Sequence, residues 1–223
     1  MTIMQAIRER HSVRSYKDKK IPEETAANLQ NEIEKCNRES GLNIRLITDE
    51  PQAFESRLAH YGKFRGVQNY IALIGKKSAD LDTKAGYYGE RIALLAQSLG
   101  LNTCWAALTF SKGTVKKICP IGRDEKLVCI IALGYGETAG VPHKSKDLSD
   151  VCKAEGEMPD WFKAGTEAAL LAPTAMNQQK FRFTLQGNTV SAEATGGFYS
   201  KVDLGIVKYH FEIGAGKENF DWQ

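Results

Sequence analysis

Seven consecutive apolar residues, Leu127 to Leu133, lie between a charged start and a Gly134-Tyr135-Gly136 turn, and this run constrains the fold most. A continuous apolar run of that length, bounded by turn residues, reads as a strand with both faces covered. Such a strand needs other strands beside it and helices across its faces. Val67 to Gly75 and NTCWAAL (102–108) supply the strands. The helices come from periodic segments on either side. The chain is therefore expected to be an α+β protein, a mixed sheet flanked by helices.

Helix signals are clearest after Pro22, where Pro at the first position and two glutamates in the first turn open PEETAANLQNEIEKCNRES. Ile3, Ala6 and Ile7 mark a short N-terminal helix. PQAFESRLAHYG (51–62) reads as one helix between Pro51 and Gly62. Tyr88, Ile92, Leu95 and Leu99 form one stripe of a long helix stopped at Gly100. LNIRLIT (42–48) reads as a strand. From Lys144 to Met158 the chain is polar and connects two parts. A helix then opens at Pro159 and must end before Pro173. FRFTLQ and TVSAEAT flank Gly187-Asn188 as a hairpin. A last helix over 202–214 precedes a polar tail. These shifts divide the chain at about residue 150, into 1–150 and 151–223.

Composition excludes several classes. A net charge of +3 does not suggest nucleic-acid binding, and no apolar run approaches the ~20 residues of a membrane span. The N-terminus has no apolar signal core. The five cysteines form no Cys-x-x-Cys pair, so reduced thiols in a cytoplasmic protein are expected and a metal site is not.

Three segments could carry chemistry. Arg10-His11-Ser12-Val13-Arg14 places guanidinium groups around a hydroxyl, a set suited to phosphate oxygens; a solvated charged turn would look the same. Ala172-Pro173-Thr174 through Asn177 and Gln179 presents amides and a hydroxyl on a Pro-stiffened loop. An amide offers both donor and acceptor to a ring edge, and an ordinary helix-to-strand loop is the alternative. Lys144 and Lys146 could close on a dianion or form a flexible basic linker.

Together these segments resemble the nitroreductase family. RHSVRSY is similar to its Arg-x-Ser-x-Arg opening, and ALLAPTAMNQQKFRF to its Ala-Pro-Ser-x-x-Asn-x-Gln-Pro-Trp segment. IALGYGE with the later HKSKDL resembles its strand, glycine turn and basic pair, and GERIALLAQSLGLNTCW its central helix. The resemblance implies FMN as cofactor, with Arg10, Ser12 and Arg14 on the phosphate and ribityl chain and His11 contributing backbone contacts, a packed histidine being the equal alternative. It implies Lys144 and Lys146 at the phosphate, with Leu133, Gly134, Tyr135 and Gly136 lining the site. Pro173, Thr174, Asn177 and Gln179 would face the isoalloxazine ring, and the backbone N–H of Ala107 or Leu108 would face flavin N5.

The reaction implied is ping-pong hydride transfer, from NADH or NADPH to flavin N5 and then to a small acceptor such as a nitroaromatic or quinone. It needs no catalytic side chain. An FMN-binding protein without turnover, a dehalogenating or ring-cleaving relative, and a phosphopeptide or nucleotide module using the basic segment alone are the rival readings.

The chain departs from the family in one respect that matters. The Asn-x-Gln segment normally follows the first long helix, but here it comes only after Ala172; Thr174 replaces Ser, and Lys180-Phe181 replaces Pro-Trp. Lys84 to Trp105 also echoes Lys201 to Trp222 at a spacing of 117 residues, both at the lysines and at the tryptophans (201 − 84 = 222 − 105 = 117). Family members usually build the FMN site from two subunits. The echo therefore suggests two fused halves in which one chain imitates that dimer, with an ordinary homodimer as the alternative.

Overall fold

In the computed structural model, which describes residues 1–223, the apolar run lies inside a sheet. Four strands, β1 (Arg45–Ile47), β2 (Asn69–Lys76), β3 (Asn102–Ala106) and β4 (Glu125–Gly134), pair antiparallel in the order β1-β2-β4-β3. β4 is thus an interior strand, as its continuous apolar run requires. Register runs from Asn69 opposite Leu133 to Lys76 opposite Glu125, with a shift between Leu73 and Ile74.

The chain forms two compact units interleaved in sequence. One holds residues 9–81 and 92–141, and the other holds 1–8, 82–91 and 142–223. The first contains the antiparallel sheet with α2 (Glu23–Ser40), α3 (Arg57–Tyr61) and α5 (Lys112–Ile118). Its core gathers Phe54, Phe64, Tyr70, Phe110 and Ile130 into one cluster. α2 ends at Gly41, whose φ of 73° lets its N–H reach back to the Asn37 carbonyl.

The second unit contains α1 (Ile3–Glu9), α6 (Leu148–Val151), α7 (Asp160–Leu170) and α8 (Ser200–Ala215), with a second sheet. There β5 (Cys152–Ala154), β6 (Phe181–Gln186), β7 (Thr189–Ala194) and β8 (Asp221–Trp222) pair in chain order, the outer pairs parallel and the β6–β7 hairpin antiparallel. Gly187 opens the hairpin turn at φ 59°. Phe211 centres an aromatic core, with ring centroids 4.5 Å from Phe183, 5.2 Å from Phe220 and 5.6 Å from Phe162. α4 (Leu81–Ser98) is shared, its first half in this unit and its second half in the other.

The α+β class is as expected, with the strands divided between two sheets. The segment after Pro51 is not one helix. It is a 3-10 turn (Gln52–Phe54) followed by α3, because Ser56 caps a new start with Oγ accepting from the Ala59 N–H. The polar 144–158 stretch holds α6 and β5, and the tail contributes β8. No helix is long and apolar enough to cross a membrane, and no cluster of metal-ligating side chains is present.

Candidate functional site

In the first unit, the chain leaving α1 is laid against the start of β3. The Val13 N–H donates to the Thr103 carbonyl at 3.1 Å, and Ser12 bridges Thr103 in parallel fashion. On the other side the turn after β4 holds the same segment: the Lys17 N–H donates to Tyr135 O at 2.8 Å and the Glu137 N–H to Ser15 O at 2.9 Å. Tyr16, buried, turns its hydroxyl back to donate to Val13 O at 2.7 Å. Burial pushes its phenol pKa well up, so it remains a donor.

The glycines of this turn are set by contact. A Cβ on Gly134 would lie 3.0 Å from the Tyr16 ring, and one on Gly136 only 2.8 Å from Asn102 Oδ1, which accepts the Gly136 N–H. Gly134 and Gly136 therefore pack against Tyr16 and Val13 and the Tyr135 carbonyl bonds Lys17, while Leu133 is a ladder residue opposite Asn69 and Thr103.

Arg10 is buried, His11 half-buried, and Ser12 and Arg14 exposed. Burial raises the pKa of the Cys104 thiol, while Arg14, Arg10 and the Ser12 hydroxyl all pull it back down. Two guanidinium groups and a hydroxyl are thus near enough to Cys104, on β3, to act on its thiol. That donor set fits a phosphate. Ala107 and Leu108 follow the far end of β3, with Leu108 exposed. Ala107 is four residues beyond Thr103, about 13 Å along the strand direction.

In the second unit, Lys144, Lys146 and the loop after Pro173 form one hydrogen-bonded structure. Asn177 Nδ2 and Gln179 Nε2 both donate to Lys144 O at 2.9 Å, and Gln179 Oε1 accepts the Lys146 N–H at 2.8 Å. Lys146 Nζ donates to Gln179 O at 3.0 Å, and Thr174 Oγ1 accepts the Gln179 N–H. Gln179 is buried and its amide is engaged within the protein. Pro173 is buried behind the loop, whereas Asn177 and Lys144 are exposed at its surface.

This loop is strained. Met176, Asn177 and Gln179 all take positive φ, at 53°, 53° and 46°. Left-handed residues of this kind persist where surrounding bonds over-determine them. Asp203, buried on the first turn of α8, supplies those bonds. Its carboxylate accepts the Ala175 N–H at 2.9 and 3.1 Å and Gln178 Nε2 at 2.6 Å. Burial raises its pKa to about 6 despite both bonds. Asp203, Gln178 and Asn102 were not among the expected site residues. Asp203 and Asn102 act on segments distant in sequence, so no local motif marks them, whereas Gln178 lies within the loop motif but bonds to Phe198 and Asp203, 20 and 25 residues on.

A family model described as "Putative TM nitroreductase" matches residues 2–215. A crystal structure of a "putative nitroreductase" from Thermotoga maritima is 24% identical, with a TM-score of 0.70 over 98% of this chain and 85% of that one. A "putative nitroreductase in complex with FMN" from Desulfovibrio desulfuricans is 18% identical, with a TM-score of 0.55 over 71% of this chain and 98% of that one. A "Putative NADH Oxidase" from Clostridium acetobutylicum is 19% identical, with a TM-score of 0.52 over 66% of this chain and 96% of that one. No curated protein matches the chain. With the family model spanning nearly the whole sequence, the chain belongs to the nitroreductase family.

Proposed function

We propose that this chain is an FMN-dependent oxidoreductase that takes electrons from NADH or NADPH and reduces a small nitroaromatic or quinone-like acceptor. The observation that carries the reading is the seating of Arg10-His11-Ser12-Val13-Arg14 against β3, where the Val13 N–H donates to the Thr103 carbonyl at 3.1 Å and Ser12 bridges Thr103. Family membership and the FMN named for the Desulfovibrio relative support it. When bound, FMN supplies two-electron chemistry at N5, the centre that ping-pong turnover between donor and acceptor uses.

The chain's own residues bind and orient. Arg10 and Arg14 hold the phosphate by charge-assisted bonds, and the Ser12 hydroxyl adds a donor without bulk. The Tyr16–Val13 bond and the glycine turn keep that segment from moving away when the anion leaves. The 174–179 loop presents Thr174 and Asn177 for the ring, held in its left-handed conformation by Asp203 and by the Lys144–Lys146 backbone. Lys144, with an exposed ammonium, adds positive charge that favours an anionic reduced flavin. No side chain needs to act as nucleophile or general base.

We also propose that one chain does the work of two subunits. Support comes from the way α4 and α8 meet within the second unit, where each helix offers a glycine to the other's backbone. The chain would then be a cytoplasmic monomer with no nucleic-acid or membrane partner.

An absorbance spectrum of the purified protein with added FMN, followed by anaerobic NADH and NADPH, tests the main reading. Flavin bands that shift on binding and bleach with either nucleotide are expected. Bound flavin that stays oxidised with both would leave a binding protein, and no binding would overturn the proposal.

A further inference from the structure

A second concave site lies in the first unit, at the end of the antiparallel sheet where β2 stops and β4 begins. It is a cleft of about 690 Å³ between the end of β2, the start of β4 and α5. Four lysines line it. Lys112 and Lys116 stand one helical turn apart on α5, while Lys77 follows β2 and Lys126 is the second residue of β4. All four are exposed. Pro120, Ile121 and the buried Leu127 supply an apolar lining.

The acid among these residues is committed elsewhere. Glu125 accepts Asn43 Nδ2 at 2.9 Å through one oxygen and the Gly122 N–H at 2.8 Å through the other. These bonds, with Lys77 Nζ on Arg123 O at 3.0 Å, brace the 120–125 turn that forms one wall. A braced concave wall carrying four ammonium groups against one occupied carboxylate concentrates positive potential. The overall charge of the chain is only +3, so this is local accumulation.

The site is separate from the arginine segment. Lys126 and Gly134 stand at opposite ends of β4, eight residues and about 26 Å apart. Its volume suits one small ligand and is in the ordinary range of such pockets, roughly 300–1,000 Å³.

We propose that this cleft binds a polyphosphate anion, with the phosphates held between the α5 lysines and Lys77 and Lys126. Lysine suits the task, because its ammonium is a point charge on a flexible stem that can follow a chain of phosphates. The same chemistry is offered by a nucleoside triphosphate and by inorganic polyphosphate. In the first case the base lies on Pro120, Ile121 and Leu127.

Isothermal titration of the whole protein with inorganic tripolyphosphate and, separately, with ATP tests the proposal. Both anions are expected to bind at about 0.05 M salt and to weaken steeply at about 0.5 M. A K112E/K116E variant should bind both at least tenfold more weakly, with its circular dichroism and flavin spectrum unchanged. K77E, on the opposite wall, should weaken binding independently. Equal affinity for the two anions assigns recognition to the phosphates alone, and tighter ATP binding adds the base to the apolar lining. No binding of either anion, or isotherms that the lysine substitutions leave unchanged, would overturn the inference.

Discussion

Gly86 of α4 and Gly205 of α8 each press against the other helix's backbone in a reciprocal way. A Cβ on Gly86 would lie 2.0 Å from Val202 O, and one on Gly205 would lie 2.0 Å from Thr83 O. The glycines are 119 residues apart, and so are Thr83 and Val202 (205 − 86 = 202 − 83 = 119). Reciprocal contacts of this kind, i to j and j to i, are what a twofold axis produces. This spacing of 119 differs from the 117 of the sequence echo, so the two correspondences do not align residue for residue. Gly86→Ala or Gly205→Ala forces backbone apart along the whole crossing. Each should cost about 3 kcal/mol or more, the upper end for overpacking. Urea denaturation measures it, and a loss below about 1 kcal/mol would mean that the helices separate freely.

The same pair of helices carries a buried polar contact. Glu90 Oε1 lies 2.9 Å from His210 Nε2, both side chains are fully buried, and His210 Nδ1 is 3.0 Å from Ala168 O. A carbonyl can only accept, so Nδ1 carries a proton and the Glu90 contact shares the next one. Removing one partner takes a hydrogen bond from the other's fully buried side chain. His210→Ala and Glu90→Ala should each lose about 3–5 kcal/mol. Replacing both with apolar residues of similar volume should lose much less, and a double-mutant cycle reads the coupling. Additive losses would show that the two side chains act separately.

How much of this was legible depends on whether the cause is local. β4 could be read because seven apolar residues in a row have few alternatives, and the β6–β7 hairpin because Gly187 supplies the turn. α5 was hidden, since Gly113 and three lysines dilute its pattern while its start rests on Ser111 Oγ accepting the Thr114 N–H. β8 was hidden in a polar tail, where Trp222 Nε1 donates to Glu212 at 2.7 Å and Lys208 lies 4.1 Å over the indole. The arginine segment and the 172–179 loop were visible as motifs. Gln179 shows the limit: its residue type suits a ring edge, but its amide is bound to the Lys144–Lys146 backbone, a partner 33 residues away.

Asp203 makes the loop's anchoring pH-dependent. Its folded pKa of about 6 stands above the ordinary 3.8, because burial penalises the carboxylate. The folded state therefore binds the proton more tightly than the unfolded chain. Stability from this group is fully present below about pH 4, falls as pH rises towards 6, and is level above that. The span corresponds to an effect on the order of 3 kcal/mol. Asp203→Asn should flatten the stability profile between pH 4 and 6. A profile as steep as wild type would assign the titration to another group.

Arg14 gives the sharpest test of the phosphate assignment. Its guanidinium acts on Cys104 together with Arg10, yet it is exposed, so its removal leaves the buried framework of Val13, Tyr16 and Gly134 intact. Arg14→Ala should weaken FMN by about 2 kcal/mol, roughly thirtyfold, the worth of a charge-assisted contact. Arg8→Ala is the control, since Arg8 is not among the groups that act on Cys104. Flavin fluorescence titration separates the two. Loss in the Arg14 variant alone places the anion beside Cys104, and equal losses in both would reduce the effect to general attraction by the protein's positive charge. Asn177→Ala, measured alongside, should alter flavin affinity or potential with the fold intact; if neither changes, the amide serves only to hold Lys144.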